Sequence, residues 1–108
     1  MKKLPYRART ATGETFDVEF PLHSETGDPI KVGQLISVLL EAIDGEMAVT
    51  GETSNGDVLQ AVAMSLAIRA GMIHAPFETS ASLTKDLVST AVDAMAEATV
   101  HRAQSGRA

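Results

Sequence analysis

Three histidines are the side chains best suited to acid–base chemistry or metal binding in this 108-residue chain. His23, His74 and His101 fall in different predicted elements, and their spacing is not that of zinc ligands, which converge in sets of three or four. His74 follows a predicted helix, where it can donate to free carbonyls, so we assign it a structural role. The absence of cysteine excludes thiol catalysis and cysteine-based zinc sites. We therefore predict no metal and no cofactor.

A hydrolytic triad is the alternative for His74. Many Ser and Thr hydroxyls are present, and Asp86 or Glu78 would have to orient the imidazole. No nucleophile elbow of the G-x-S-x-G type occurs, and triads are defined by geometry that spacing does not show. We predict a protein that is not an enzyme, and we keep a small enzyme with a site near His74 as an alternative.

Anion binding is disfavoured at two places that resemble anion sites. Residues 50–57 lead into a helix N-terminus with free amides, but they form no P-loop, and Glu52 and Asp57 would repel a phosphate. Arg7 and Arg9 share one strand face, as in β-ribbon DNA readers. Nucleic-acid binders usually show a net basic footprint, whereas this chain has a net charge of −5. We expect the arginines to form cross-strand pairs with acids, and we predict no nucleic-acid partner.

The acidic residues are concentrated in one stretch. Residues 14–57 carry ten acids against the single Lys31, whereas residues 1–13 carry four basic residues and no acid. Such a stretch is typical of a solvated surface, and it also fits a negative surface that docks on a basic partner. The residues predicted to form this acidic band are Glu41, Asp44, Glu46 and Glu52.

The elements that must position these residues begin with two predicted strands, Tyr6–Ala11 and Thr15–Leu22. The second alternates apolar and polar residues, which is the period of a half-buried strand. Gly13 between them suits a tight hairpin turn. A helix is predicted over Lys31–Ile43, ended by Asp44-Gly45, with residues 46–50 either a short third strand or a packed loop.

The central helix is predicted over Asp57–Ile73, capped by Ser54 or Asn55. It is apolar nearly all round, so we expect it to be buried, in part by a second subunit. Met64, Ile68 and Met72 form the face assigned to the oligomer interface. Arg69 is the only charge within the helix after Asp57, and it is either an exposed side chain or one half of a buried ion pair with Asp86, Asp93 or an acid of a partner chain.

A third helix is predicted over Ser82–Gln104, capped by Ser80 or Ser82, and residues 1–4 and 104–108 are expected to fray. The fold class is therefore α+β: an N-terminal antiparallel hairpin followed by three helices, in a single domain spanning residues 1–108. No stretch is long and apolar enough to span a membrane, and no secretory signal follows the basic start. We expect a cytoplasmic protein.

The leading hypothesis for function is a small non-catalytic interaction module, an adaptor or inhibitor of the kind that mobile elements or phages encode. It is predicted to form a homodimer and to use its acidic band on a basic protein surface. The first alternative is a binding module for a small apolar or amphipathic ligand held by Met64, Met72 and Met95. The second is the enzyme with a site near His74.

Overall fold

A computed structural model describes residues 2–10 and 12–102. The elements, in chain order, are β1 (Lys3–Arg9), β2 (Thr15–Pro21), α1 (Pro29–Thr50), α2 (Asn55–Gly71), α3 (Phe77–Ala96) and β3 (Thr99–His101). The predicted α+β class is confirmed. No helix among the described residues is both long enough and apolar enough to cross a membrane.

The chain divides into two compact units. The sheet unit comprises residues 1–35 and 90–108, and it contains the three strands. The helical unit comprises residues 36–89, and it contains most of α1, all of α2 and most of α3. The expectation of a single domain stays a prediction.

The hairpin of the sheet unit has the predicted antiparallel form. Tyr6 pairs with Val18 and Arg7 with Asp17, and the turn is closed by the Thr10 amide, which donates to the Glu14 carbonyl at 2.8 Å. Gly13 has a φ of 91°, which a residue without Cβ adopts at no steric cost. The start of the chain is more ordered than predicted, because Lys3 and Leu4 already belong to β1.

The third strand, β3, lies at Thr99–His101 and not at residues 46–50, where the sequence allowed for one. β3 pairs antiparallel with β2, so the sheet order is β1-β2-β3. The predicted helix over Ser82–Gln104 is wrong at both ends, since α3 begins at Phe77 and ends at Ala96. Thr99 and Val100 are β-branched and favour a strand. Residues 104–108 lie outside the described residues.

Residues 46–50 are helical, so neither the third strand nor the packed loop is present there. α1 runs through Gly45 and ends at Thr50, where Gly51 adopts a φ of 92° and its amide donates to the Met47 carbonyl. A mid-helix glycine costs only about 1 kcal/mol, and Glu46 to Ala48 are good helix formers. The helix therefore continues to the next glycine that can take the left-handed position.

The central helix, α2, starts as predicted but is not buried within one chain. The Ser54 hydroxyl accepts a hydrogen bond from the Asp57 amide at 3.1 Å, which confirms the N-cap. Along α2 the only buried residue is Ala70, which is 5% exposed. The prediction of a buried central helix is wrong for the single chain, because α1 and α3 do not pack along it.

Candidate interaction surfaces

The acidic band lies in the helical unit and is open to solvent. Glu41, Asp44 and Glu46 are exposed on α1, and Glu52 is exposed in the loop before α2. No ion pair of the described residues involves any of the four. Their carboxylates are therefore available to a basic group on another molecule.

The band dominates the charge of its unit. The helical unit contains seven acidic residues against Arg69 and Lys85, so its formal charge is −5. The sheet unit contains seven acidic and seven basic residues, so the whole net charge of the chain falls on the helical unit. A field of one sign over a small unit raises the rate of encounter with oppositely charged surfaces.

The helical unit also exposes apolar side chains on every helix. Met64, Ile68 and Met72, the residues assigned to the oligomer interface, are 56%, 61% and 57% exposed. The only buried residues within 36–89, all of which the structure describes, are Ala70 and Ser80. The three helices therefore lack a core of their own.

Arg69 is exposed and forms no buried ion pair within this chain. Its Nη1 instead contacts Met72 Sδ at 3.3 Å, one turn further along α2. Pairing with an acid of another chain stays a prediction. The methionines of the alternative ligand site are not gathered in one unit, since Met64 and Met72 lie in the helical unit and Met95 lies in the sheet unit.

The charged face of the sheet is satisfied within the chain. Arg7 donates to both carboxylate oxygens of Asp17, at 2.7 and 3.2 Å, and His101 Nε2 lies 3.0 Å from Asp17 Oδ2. The hydrogen bond from Arg7 holds the pKa of the Asp17 carboxyl below its usual range and raises the pKa of the guanidinium. A second pair joins Arg102 to Glu14 at 2.7 Å.

The predicted cross-strand pairing is therefore confirmed for Arg7 with Asp17. It does not extend to Arg9, which lies opposite Thr15. The contacts of His101 and Arg102 were missed because residues 99–102 were assigned to a helix, in which His101 would have faced Glu97. The signal that could have found them is the β-branched pair Thr99-Val100.

An open cleft of about 850 Å³ lies in the sheet unit, between the charged sheet face and one side of α3. Its sheet wall includes Lys3, Arg7 and Glu19, and its helix wall includes Asp93 and Glu97. Charges of both signs line it, but Arg7 is already paired with Asp17 and Lys3 lies 4.0 Å from Glu19. Asp93 and Glu97 form no ion pair among the described residues, so the cleft carries an excess of negative charge.

The residues proposed for an enzyme do not share a cleft. Glu78 and Asp86 line a shallow depression of about 500 Å³ on α3, without His74 among its lining residues. His74 is exposed and has no hydrogen-bond partner among the described residues, so the expected contact with helix carbonyls is absent. Within the described part of the chain, no three His, Asp or Glu side chains are placed to hold a metal ion.

No protein-family model, curated protein or solved structure matches the chain.

Proposed function

We propose that this protein is a non-catalytic interaction module that binds a basic protein surface through the acidic band of its helical unit. The observation that carries the proposal is the placement of the entire net charge of −5 on residues 36–89, with all four band carboxylates exposed and without ion pairs among the described residues.

The contrast with the sheet unit supports this assignment. There, the acids Glu14 and Asp17 contact basic side chains of the same unit within 3.0 Å. Among the described residues the band has no such neighbours, so its charge is available to other molecules. Interaction between exposed charges is screened within about 8 Å at physiological salt, so the binding should weaken as salt is added.

The test is an affinity capture with charge-reversed bait. The native protein and a variant with Glu41→Lys, Asp44→Lys, Glu46→Lys and Glu52→Lys are immobilised and exposed to lysate of the source cells at low and high salt. We expect the native bait to retain a basic protein that the variant does not retain, and we expect retention to fall with salt.

A matched control separates the band from total charge. The variant with Glu19→Lys, Glu25→Lys, Asp93→Lys and Glu97→Lys makes the same change in net charge on the sheet unit, and it should retain the partner. An identical set of captured proteins for both variants and the native chain would contradict the proposal.

A further inference from the structure

The two long faces of α2 differ in how far the chain covers them. On one side lie Ala70, which is buried, Val62 and Leu66, which are 45% and 40% exposed, and, near the start of the helix, Leu59, which is 70% exposed. The other side is exposed along its whole length. We call it the methionine face, and its residues are Ala61, Met64, Ile68 and Met72. Its three long side chains are 56–61% exposed and none of its residues is buried, so this face is the one left for another molecule.

Charge is confined to the two ends of this helix. Asp57 lies in the first turn and Arg69 in the last, and no charged residue lies between them. Twelve residues at a rise of 1.5 Å separate them by about 18 Å, so the two cannot pair within one chain. The contact of Arg69 with Met72 Sδ places the guanidinium beside the methionine face.

We propose that a second copy of the chain docks on the methionine face, with the two α2 helices antiparallel about a two-fold axis at the level of Ala63. In that arrangement, Asp57 of each copy lies beside Arg69 of the partner subunit, and both pairs form at once because a two-fold interface is self-complementary. Ala61 lets the two helices approach closely. This inference does not depend on the acidic band.

The exposed apolar area fits a dimer better than a monomer. Fifteen large apolar side chains of the helical unit are between 36% and 84% exposed. At about 30 Å² for each methylene-sized group, and with roughly two such groups exposed on each side chain, they present on the order of 900 Å² to solvent, summed over the three helices. Each partner of a stable complex contributes roughly 800 Å², so the three helices together expose enough apolar surface for such an interface.

A second copy is also the occupant that solves the folding problem. A unit in which only Ala70 and Ser80 are buried has no core, so its cover must be present whenever the chain folds. A second copy of the same chain is present wherever the protein is made. The negative charge of the helical unit opposes self-association. The repulsion between two copies is weakest along α2, because residues 58–68 are uncharged.

The edge of the sheet is poorly suited to the same purpose. Lys2 accepts from the Leu22 amide, so alternate residues from Lys2 onward bond to β2. The remaining residues of β1 direct their backbone N–H and C=O groups to the free edge of the sheet, and these residues are Lys3, Pro5, Arg7 and Arg9. Proline has no N–H, and basic side chains discourage pairing between edges.

The test is a charge swap on the full chain, read by light scattering on a sizing column across a dilution series. The native protein should have the mass of a dimer. Asp57→Arg or Arg69→Asp alone places like charges together at both ends and should weaken the dimer by about tenfold or more. The double variant should recover an affinity within about threefold of the native one, because the pairs re-form with reversed polarity.

Circular dichroism on each variant verifies that α2 still forms, and Asp57→Asn measures the loss of the helix-dipole contribution without adding a repulsive charge. A native monomer at all concentrations would overturn the proposal. A dimer that the double variant does not rescue would overturn it as well. The charge reversal of the acidic band leaves α2 unchanged, so a dimer that captures no basic partner contradicts only the proposed function.

Discussion

The sheet unit carries seven acidic and seven basic residues, and the helical unit carries seven acidic residues against two basic ones. In the sheet unit, the ion pairs are internal, and Val18 at the middle of β2 is 4% exposed. Among the described residues, no charged side chain of the helical unit forms an ion pair, and only Ala70 and Ser80 of that unit are buried. All the ion pairs of the described residues therefore lie in the sheet unit, whereas the helical unit presents unpaired charge together with exposed apolar side chains.

The difference shows which unit has side chains without partners among the described residues. Hydrogen-bonded strands fix their own pairs, since Arg7 and Asp17 face each other through the register of the hairpin. Helices satisfy their backbones alone but not their apolar faces, which need a neighbour. The helices of this unit bury only Ala70 and Ser80, so most of their apolar side chains remain without such a neighbour.

The largest effect should come from placing a charge on the methionine face. Ile68→Glu puts a carboxylate at the centre of the proposed dimer, where it would be buried without a partner. We expect the dimer to weaken by about 2–4 kcal/mol, or roughly 30- to 1,000-fold in Kd. Sedimentation equilibrium across a hundredfold range of concentration measures the change.

The matched control for that prediction is Val92→Glu in the sheet unit. Val92 lies on α3 and is 62% exposed, almost the same as Ile68 at 61%. Ile68 lies in the proposed dimer interface and Val92 does not, so Val92→Glu should leave the affinity of the dimer nearly unchanged. Equal loss of association in both variants would break the distinction between the units.

A second pair of variants sharpens the comparison inside the helical unit. Gly45 lies within α1 with no atom near the position of an added Cβ, and Gly51 follows α1 with a φ of 92°. Gly45→Ala should stabilise the protein by about 0.5–1 kcal/mol, because alanine has the higher helix propensity. Gly51→Ala should destabilise it by about 1–2 kcal/mol, because a Cβ is strained in the left-handed region.

Thermal unfolding followed by circular dichroism at fixed protein concentration measures both changes. Opposite signs are the expected outcome. Destabilisation by both substitutions would mean that α1 ends at Gly45, as the sequence predicts, and not at Gly51.

The sequence predicted the features that depend on local pattern. The alternation of apolar residues in Thr15–Leu22 gave β2, and the apolar run after Ser54 gave α2 with its cap. Helix ends were predicted less well. Two glycines close together compete to end a helix, and propensity alone does not decide between Gly45 and Gly51.

What depends on contacts distant in sequence was missed or predicted incorrectly. β3 forms because β2 offers an edge, and the apolar spacing of residues 83–100 equally suits a helix. The distribution of apolar residues around α2 predicted that the helix must be buried. It does not show whether the same chain or another molecule buries it. The four residues of the acidic band are exposed, and their role in binding a partner stays a prediction.

The smallest effect concerns the sheet unit, where Asp17→Asn removes the carboxylate held by Arg7. Because Arg7 lowers the pKa of Asp17, the folded state favours the ionised carboxyl. Its contribution to stability is present above the pKa of the unfolded chain and is lost as the pH falls through the lower folded value. The Tm of the native protein should therefore exceed that of Asp17→Asn at pH 6, and the gap should close below about pH 4. Arg7 is 67% exposed and Asp17 is 34% exposed, so solvent screens the pair and the gap should be small compared with the effect of Gly51→Ala. A difference in Tm that persists unchanged to pH 2 would show that Asp17 stabilises the sheet by packing and not by charge. The contrast between a sheet unit with internally paired charges and a helical unit without them would then lose its electrostatic basis.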